Sequence, residues 1–330
     1  MRAVWLREFG GPEVLVPGEA PDPRPGPGQV VIEVAAIGIP FVETQVRSGV
    51  APVPLPRLPI IPGNGVGGTV VEVGPGADPA LAGLRVVTSL KGSGGYAERV
   101  AADTGGLIAV PPELDLHDAV ALLADGRTAM GIVRAAAPRP GEWVLVESAA
   151  GGVGSLLVQL AAGAGAQVVA VAGSRRKLDL ATELGAKVTA DYTEDGWGDR
   201  VREAVGDAGV HVVFDGVGGA VGRTAFELVA PRGRFLMFGA ASGAMTDATV
   251  AEVFQRGIAL ITGGQMFGSP AGIKALAEAA LAEAATGRLR PVIGQTFPLE
   301  RAADAHAAIQ ARTTLGKTLL IPSGDLEVRS

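Results

Sequence analysis

Short runs in which hydrophobic and polar residues alternate dominate the first part of the chain, and glycine and proline separate them. A period of two and an excess of β-branched residues are typical of half-buried strands. The runs cover residues 29–36, 68–73, 84–89 and 96–101. This part of the sequence predicts an irregular, mostly antiparallel β-domain.

The pattern changes from about residue 122 to residue 264, where apolar runs alternate with segments of helical period. Strands are predicted at 143–148, 167–172, 187–190, 211–215, 234–238 and 258–262, and helices begin near Gly152, Lys177, Gly198 and Val221. Strands that alternate with helices predict a parallel, doubly wound sheet covered on both faces. Further on, helices are predicted at 271–286 and 300–311, and a strand at 318–321.

Composition excludes several classes of function. A formal net charge of −6 and an aromatic content of 4% argue against a nucleic-acid partner. The 330 residues include no cysteine, and the three histidines are too far apart in sequence to form a local ligand pair. The uncharged stretch 156–173 imitates a membrane span but divides naturally into a helix and a strand. We therefore expect a cytoplasmic protein with a small-molecule substrate, no metal, no nucleic acid and no membrane partner.

A glycine-rich turn joins the predicted strand 143–148 to the helix that follows it. A strand, such a turn and a helix form the context of a dinucleotide-binding fingerprint. Gly154 lets the helix pack close to the strand, and the helix N-terminus offers amides to phosphates. The residues expected to line the cofactor here are Ala150, Gly151, Gly152 and Val153. Because Ala149 replaces the first glycine of the fingerprint, the motif alone also fits a plain tight turn.

The residues after the second strand of this region indicate which cofactor binds. In a site for NAD an acidic side chain usually ends this strand and accepts hydrogen bonds from the ribose. Here Gly173, Ser174, Arg175 and Lys177 follow the strand, and no acid occurs before Asp179. These cations could simply form a solvated helix start, but they oppose the helix dipole there, whereas a 2′-phosphate would attract them. The sequence therefore favours NADPH over NADH.

Several collinear motifs identify a family. They are FGGPEVL at 9–15, AIGI at 36–39, RSG at 47–49, VGPG at 73–76, the glycine turn at 148–154, DGVGG at 215–219, PL at 298–299, AH at 305–306 and GK at 316–317. Over nearly its full length the chain resembles the zinc-independent quinone oxidoreductases of the medium-chain dehydrogenase/reductase superfamily, the group that includes zeta-crystallin.

This resemblance implies an α/β protein with a GroES-like, mostly-β catalytic domain (1–122, with a C-terminal return at 265–330). A Rossmann domain with a doubly wound parallel sheet (123–264) would bind NADPH, and the active site would lie between the two domains. The implied cofactor residues are Thr128 near the nicotinamide, Gly173, Ser174, Lys177 and Tyr192 around the 2′-phosphate, Val217, Phe238 and Gly239 along the cofactor, and Arg312 closing over it. By the same resemblance, segment 257–264 pairs with its copy in a homodimer.

The chain also departs from the family pattern. Pro40 stands where relatives usually carry asparagine, and Gln45 and Ala51 stand where many carry tyrosine. Zinc-dependent relatives have Gly-His-Glu where this chain has Gly-Asn-Gly, centred on Asn64. We therefore expect no metal catalysis and an altered substrate site.

A nicotinamide without a metal suits hydride transfer to a carbon that conjugation already makes electrophilic. We predict an NADPH-dependent reductase of a quinone or an α,β-unsaturated carbonyl. The alternatives are an enoyl reductase or ring-forming enzyme of secondary metabolism, and an NADPH-binding protein with little turnover. No evident general acid is present, because a packed aromatic role is favoured for Tyr96 and a carboxylate such as Glu43 is a poor donor at neutral pH unless burial raises its pKa. We therefore predict that water supplies the proton, positioned by Thr128 or Gln45.

Overall fold

The structure is a computed structural model that describes residues 1–51 and 54–322. The chain forms two compact units, which we call the split unit (Met1–Asp125 with Ala277–Ser330) and the central unit (Gly126–Leu276). The hydrophobic pattern alone places the limits of the central region at residues 122 and 264. It marks where the period of apolar residues changes, whereas the limits of the compact units depend on which residues contact each other.

The first stretch of the chain is rich in strands. Its strands are β1 (Arg2–Leu6), β2 (Leu15–Glu19), β3 (Gln29–Ile39), β4 (Gly65–Val73), β5 (Arg85–Ser89), β6 (Arg99–Asp103) and β7 (Ile108–Ala109), and its helices are α1 (Phe41–Ser48) and α2 (Leu116–Ala136). β1 and β2 pair with each other, and the sequence prediction misses both. β2 contains Pro17 and Gly18, which weaken any strand pattern.

The central stretch alternates strands with helices, as predicted. Its elements are β8 (Trp143–Glu147), α3 (Gly152–Gly163), β9 (Gln167–Ala172), α4 (Arg175–Glu183), β10 (Val188–Asp191), α5 (Trp197–Val205), β11 (Val210–Asp215), α6 (Gly219–Leu228), β12 (Val229–Met237), α7 (Val250–Arg256), β13 (Ala259–Ile261) and α8 (Gly263–Phe267). The last stretch contains α9 (Pro270–Ala285), β14 (Ile293–Pro298), α10 (Ala302–Gln310) and β15 (Lys317–Ile321).

Among the described residues, the central unit is built on a six-stranded sheet in the order β10-β9-β8-β11-β12-β13. Every pairing in it is parallel. Val144, Leu145 and Val146 of β8 are fully buried, as expected for a strand covered on both faces. The predicted α/β class with a parallel sheet is confirmed.

In the split unit, the described strands other than β1 and β2 form a seven-stranded sheet in the order β14-β15-β3-β4-β5-β7, with β6 paired to β3. β3 pairs antiparallel with β4, β6 and β15. Val30, Ile32, Val34, Ile37 and Ile39 of β3 belong to one apolar core that also contains residues from α10. None of the helices in residues 1–51 and 54–322 is long and apolar enough to cross a bilayer.

Candidate active site

The central sheet reverses its direction of growth between β8 and β11. The chain proceeds outward from β8 to β9 and β10, then returns to place β11 on the other side of β8. Ligands of open parallel sheets bind at such a switch point, outside the carboxyl ends of the strands. The residues after β8, β9, β11 and β12 are therefore the candidate cofactor site of this unit.

The turn after β8 brings the start of α3 close to the strand. Ser148 adopts a positive φ of 47°, and a Cβ on Gly154 would lie only 2.1 Å from the Ser148 carbonyl oxygen. Any side chain at Gly154 would push the helix away, as the sequence predicts. No side chain caps α3 at Gly151, so the helix start presents backbone amides, as an anion site requires. This cradle fits a pyrophosphate group.

The segment after β9 carries the residues predicted to contact a 2′-phosphate. A Cβ on Gly173 would lie 3.1 Å from the Tyr192 ring, so these two predicted residues are neighbours. Ser174 is the N-cap of α4, but its hydroxyl makes no capping hydrogen bond. The Arg175 Nε donates to Asp179 Oδ1 at 2.7 Å, an exposed pair that holds the guanidinium only weakly. Lys177 lies in the first turn of the same helix.

The segments after β11 and β12 form one hydrogen-bonded unit. Phe238 N donates to the Asp215 carbonyl at 2.9 Å, and Ser242 N donates to the Val217 carbonyl at 2.8 Å. A Cβ on Gly216 would lie 2.5 Å from the Phe238 ring, and one on Gly239 would lie 2.7 Å from the Gly216 oxygen. The structure therefore brings Val217, Phe238 and Gly239 together at one edge of the sheet. Their contact with a cofactor stays a prediction.

The split unit contains a buried chain of polar side chains that the sequence analysis does not predict. Glu43 on α1 accepts a hydrogen bond from the Tyr96 hydroxyl at 2.7 Å and another from Asn64 N at 2.9 Å. The same hydroxyl lies 2.7 Å from His306 Nε2 on α10. Tyr96 and His306 are fully buried. The packed role favoured for Tyr96 thus comes with two polar partners.

Burial sets the charge states in this chain. It raises the pKa of Glu43 to about 7, although the hydrogen bonds from Tyr96 and Asn64 oppose the rise. Burial, together with the charge of Arg47, lowers the pKa of His306 to about 3, so the imidazole is neutral. His306 Nδ1 is buried and finds no partner among the described residues, so the ring hydrogen belongs on Nε2. His306 therefore donates to Tyr96, and Tyr96 donates to Glu43.

The other predicted site residues of the split unit lie on the same helix or against it. Gln45 is on α1, two residues from Glu43. The Arg312 guanidinium lies 4.3 Å from the centre of the Phe41 ring, also on α1, which is a cation–π contact. Thr128 is on α2, in the part of that helix that belongs to the central unit. The roles of Gln45, Thr128 and Arg312 stay predictions.

Asn64, which stands where zinc-dependent relatives carry histidine, has a structural task. Its Oδ1 accepts hydrogen bonds from Leu90 N at 3.1 Å and Gly92 N at 2.8 Å, which holds the loop after β5. Within residues 1–51 and 54–322, no group of three or more histidine, aspartate or glutamate side chains could hold a metal ion.

Comparison with known proteins defines the relationships of the chain. Residues 152–283 match the family model of the zinc-binding dehydrogenases, and residues 26–112 match that of the alcohol dehydrogenase GroES-like domain. A 2-haloacrylate reductase of Burkholderia is 33% identical over 97% of this chain and 98% of its own length. A quinone oxidoreductase of Pseudomonas aeruginosa is 34% identical over 97% of this chain and 99% of its own length. The structure of Escherichia coli quinone oxidoreductase complexed with NADPH superposes with a TM-score of 0.90 at 29% identity, covering 98% of this chain and all of that one.

Proposed function

Because the chain belongs to the quinone oxidoreductase family of the medium-chain dehydrogenase/reductase superfamily, we propose that it uses NADPH to reduce a quinone or an α,β-unsaturated carbonyl compound. It is an NADPH-dependent oxidoreductase. One hydride passes from NADPH to the acceptor and one proton is taken up, so a quinone becomes a hydroquinone and NADPH becomes NADP⁺.

The observation that carries the cofactor assignment is the end of β9. This strand ends at Ala172, and the next polar side chains are Ser174 and Arg175 rather than an acid. A carboxylate there would repel a 2′-phosphate, whereas a hydroxyl and cations donate to it. The uncapped start of α3 receives the pyrophosphate, and Val217, Phe238 and Gly239 line the way to the nicotinamide.

The choice of acceptor rests on chemistry and on the relatives. The names of two relatives refer to haloacrylates and quinones. Both are conjugated acceptors, in which the charge created by hydride addition is delocalised. Reduction of a simple ketone would need a metal or a strong proton donor on its oxygen. Thr128 or Gln45 positions a water molecule, and that water supplies the proton.

The test follows NADPH absorbance with 1,4-benzoquinone, 9,10-phenanthrenequinone and 2-chloroacrylate as acceptors and cyclohexanone as the saturated control. We expect oxidation of NADPH with at least one conjugated acceptor and none with cyclohexanone. Tight NADPH binding without turnover of any of the three would instead identify a cofactor-binding protein. Faster turnover of cyclohexanone than of the conjugated acceptors would refute the proposal.

We also propose a homodimer. β13 is the edge strand of the central sheet, and its Leu260 is 36% exposed. Val250 and Phe254, on the neighbouring α7, are each 85% exposed. An apolar edge is usually covered, and a second copy of the same edge would cover it with backbone hydrogen bonds.

A further inference from the structure

Two carboxyl groups lie together at the switch point of the central sheet. Glu147 is the last residue of β8 and Asp215 is the last residue of β11. These strands are direct neighbours, with Phe214 opposite Val146 in the register. Both side chains are completely buried. Two buried carboxylates side by side repel each other strongly unless one of them is neutral.

The hydrogen bonds show which oxygen atom lacks a partner. Glu147 Oε2 accepts from Val217 N at 2.9 Å, whereas Glu147 Oε1 is buried and makes no hydrogen bond of normal geometry within the described residues. Asp215 Oδ1 accepts from Gly218 N at 2.8 Å, and its Oδ2 accepts from the Thr246 hydroxyl at 2.5 Å. A proton on Glu147 would turn the unsatisfied oxygen into a donor to Asp215 and complete the network.

The electrostatic surroundings agree with this assignment. Burial, and then the charge of Asp215, raise the pKa of Glu147 well above its usual range. The opposing influences are the backbone amides of Val217 and Gly216.

The pair holds the segments that the proposed function places against the cofactor. Glu147 fixes Val217 N, and Asp215 fixes Gly218 N and the loop that carries Thr246. The backbone around these bonds is tightly packed, because a Cβ on Gly218 would lie 2.1 Å from the Ala244 oxygen. The Asp215 carbonyl also accepts from Phe238 N. Displacing the Glu147 carboxyl group would therefore release Val217 N, and displacing the Asp215 carboxyl group would release Gly218 N and the Thr246 hydroxyl.

We propose that Glu147 and Asp215 share one proton and act as positioning residues, holding the segments after β11 and β12 in place for NADPH. The inference rests on the proposed function only for the identity of the ligand. A shared proton makes Glu147 a neutral hydrogen-bond donor, so glutamine can replace it and alanine cannot.

The first experiment titrates NADPH by fluorescence into the full-length chain and its variants near neutral pH. Glu147→Gln should bind NADPH within about twofold of the parent, because its amide nitrogen donates to Asp215 and its oxygen accepts from Val217. Glu147→Ala should bind on the order of tenfold more weakly, because Val217 N and Asp215 lose their partner. Glu203→Gln, an exposed change on α5, is the matched control. Equal weakening by glutamine and alanine, or none by alanine, would overturn the inference.

The second experiment measures urea unfolding without cofactor against pH, and it decides the question even if NADPH does not bind. A carboxyl group with a raised pKa in the folded state stabilises less and less as pH rises above its unfolded value. The unfolding constant of the parent should therefore rise relative to Glu147→Gln, by up to tenfold for each pH unit above about 4.5. If the ratio of the two unfolding constants stays constant with pH, no proton is held by the pair and the inference is refuted. If that ratio changes with pH as expected but NADPH does not bind, only the proposed function is contradicted.

Discussion

Replacing Glu43 by glutamine should remove a large part of the pH dependence of stability. Burial raises the pKa of Glu43 from 4.5 to about 7, so the folded protein holds this proton more tightly than the unfolded chain does. The stabilisation that comes from the proton on Glu43 is complete below about pH 4.5. It decreases as pH rises to about 7, and above that pH the free energy of unfolding loses no further contribution from this group. At about 1.4 kcal/mol for each pH unit, the change amounts to at most about 3.5 kcal/mol. Glutamine, which does not titrate, should lose none of it.

The substitution also has a cost that does not depend on pH. The new amide oxygen can accept from Asn64 N, but the amide nitrogen then faces the Tyr96 hydroxyl, which must donate to His306 instead. That reversal moves the imidazole hydrogen to Nδ1, which has no partner in the described part of the chain. An unsatisfied buried donor costs about 1–3 kcal/mol. The variant should therefore be the less stable protein at low pH, and its deficit should shrink as pH rises.

The assay is urea unfolding of the parent and of Glu43→Gln at steps from about pH 5 to about pH 8, read as the difference between the two free energies of unfolding. This difference should change by up to about 3 kcal/mol and level off near pH 7. Glu72→Gln, an exposed change on β4, is the matched control. Tyr96→Phe removes a hydrogen bond that lowers the Glu43 pKa, so the levelling should move above pH 7. A flat difference for Glu43→Gln would refute the burial argument.

Four further outcomes are expected. NADPH should bind more tightly than NADH by roughly 30- to 1,000-fold, from about 2–4 kcal/mol of charge-assisted contacts, and Lys177→Ala should reduce that preference in fluorescence titrations; equal affinities in the parent would contradict it. Activity should survive dialysis against a chelator, and zinc that elemental analysis finds in stoichiometric amounts and that leaves together with activity would contradict this. Light scattering should show a dimer at micromolar concentration that Leu260→Lys dissociates, and a parent that stays a 33.2 kDa monomer would exclude it. The kcat for a quinone should vary little between about pH 6 and 8 if water supplies the proton; a fall centred near pH 7 that Glu43→Gln abolishes would identify Glu43 as the acid.

The sequence predicts the central unit well because its signals are local. Buried parallel strands are continuous apolar runs, and each helix between them shows its own period, so strand limits such as those of β9 agree with the prediction. The role of Gly154 is predictable for the same reason, since the glycine and the carbonyl that it must approach belong to one short turn.

The polar chain of the split unit could not be predicted in this way. Tyr96 is 53 residues from Glu43 and 210 residues from His306, and no periodicity links such distant positions. α1 is a short helix that follows Pro40, and the sequence analysis predicts no helix there. The proximity of Glu147 and Asp215 could have been predicted from the sequence. Each residue ends an apolar run, and the carboxyl ends of parallel strands lie at the same edge of a sheet.

The position of β15 in the sheet has a consequence for biosynthesis. β15 pairs with β3 through Leu319 opposite Gly38, so a strand made among the last residues of the chain completes a sheet begun among the first. The central unit is continuous in sequence and can fold on the emerging polypeptide, whereas the split unit must wait for the residues after Ala277. Until β15 arrives, residues 37–39 of β3 lack a partner on the edge where β6 pairs only with residues 29–33, and such an unpaired edge invites association between nascent chains. Closing this long-range pairing should be the slow step of maturation, and a chaperone that holds the first 125 residues should increase the yield of folded protein more than one that acts on the central unit.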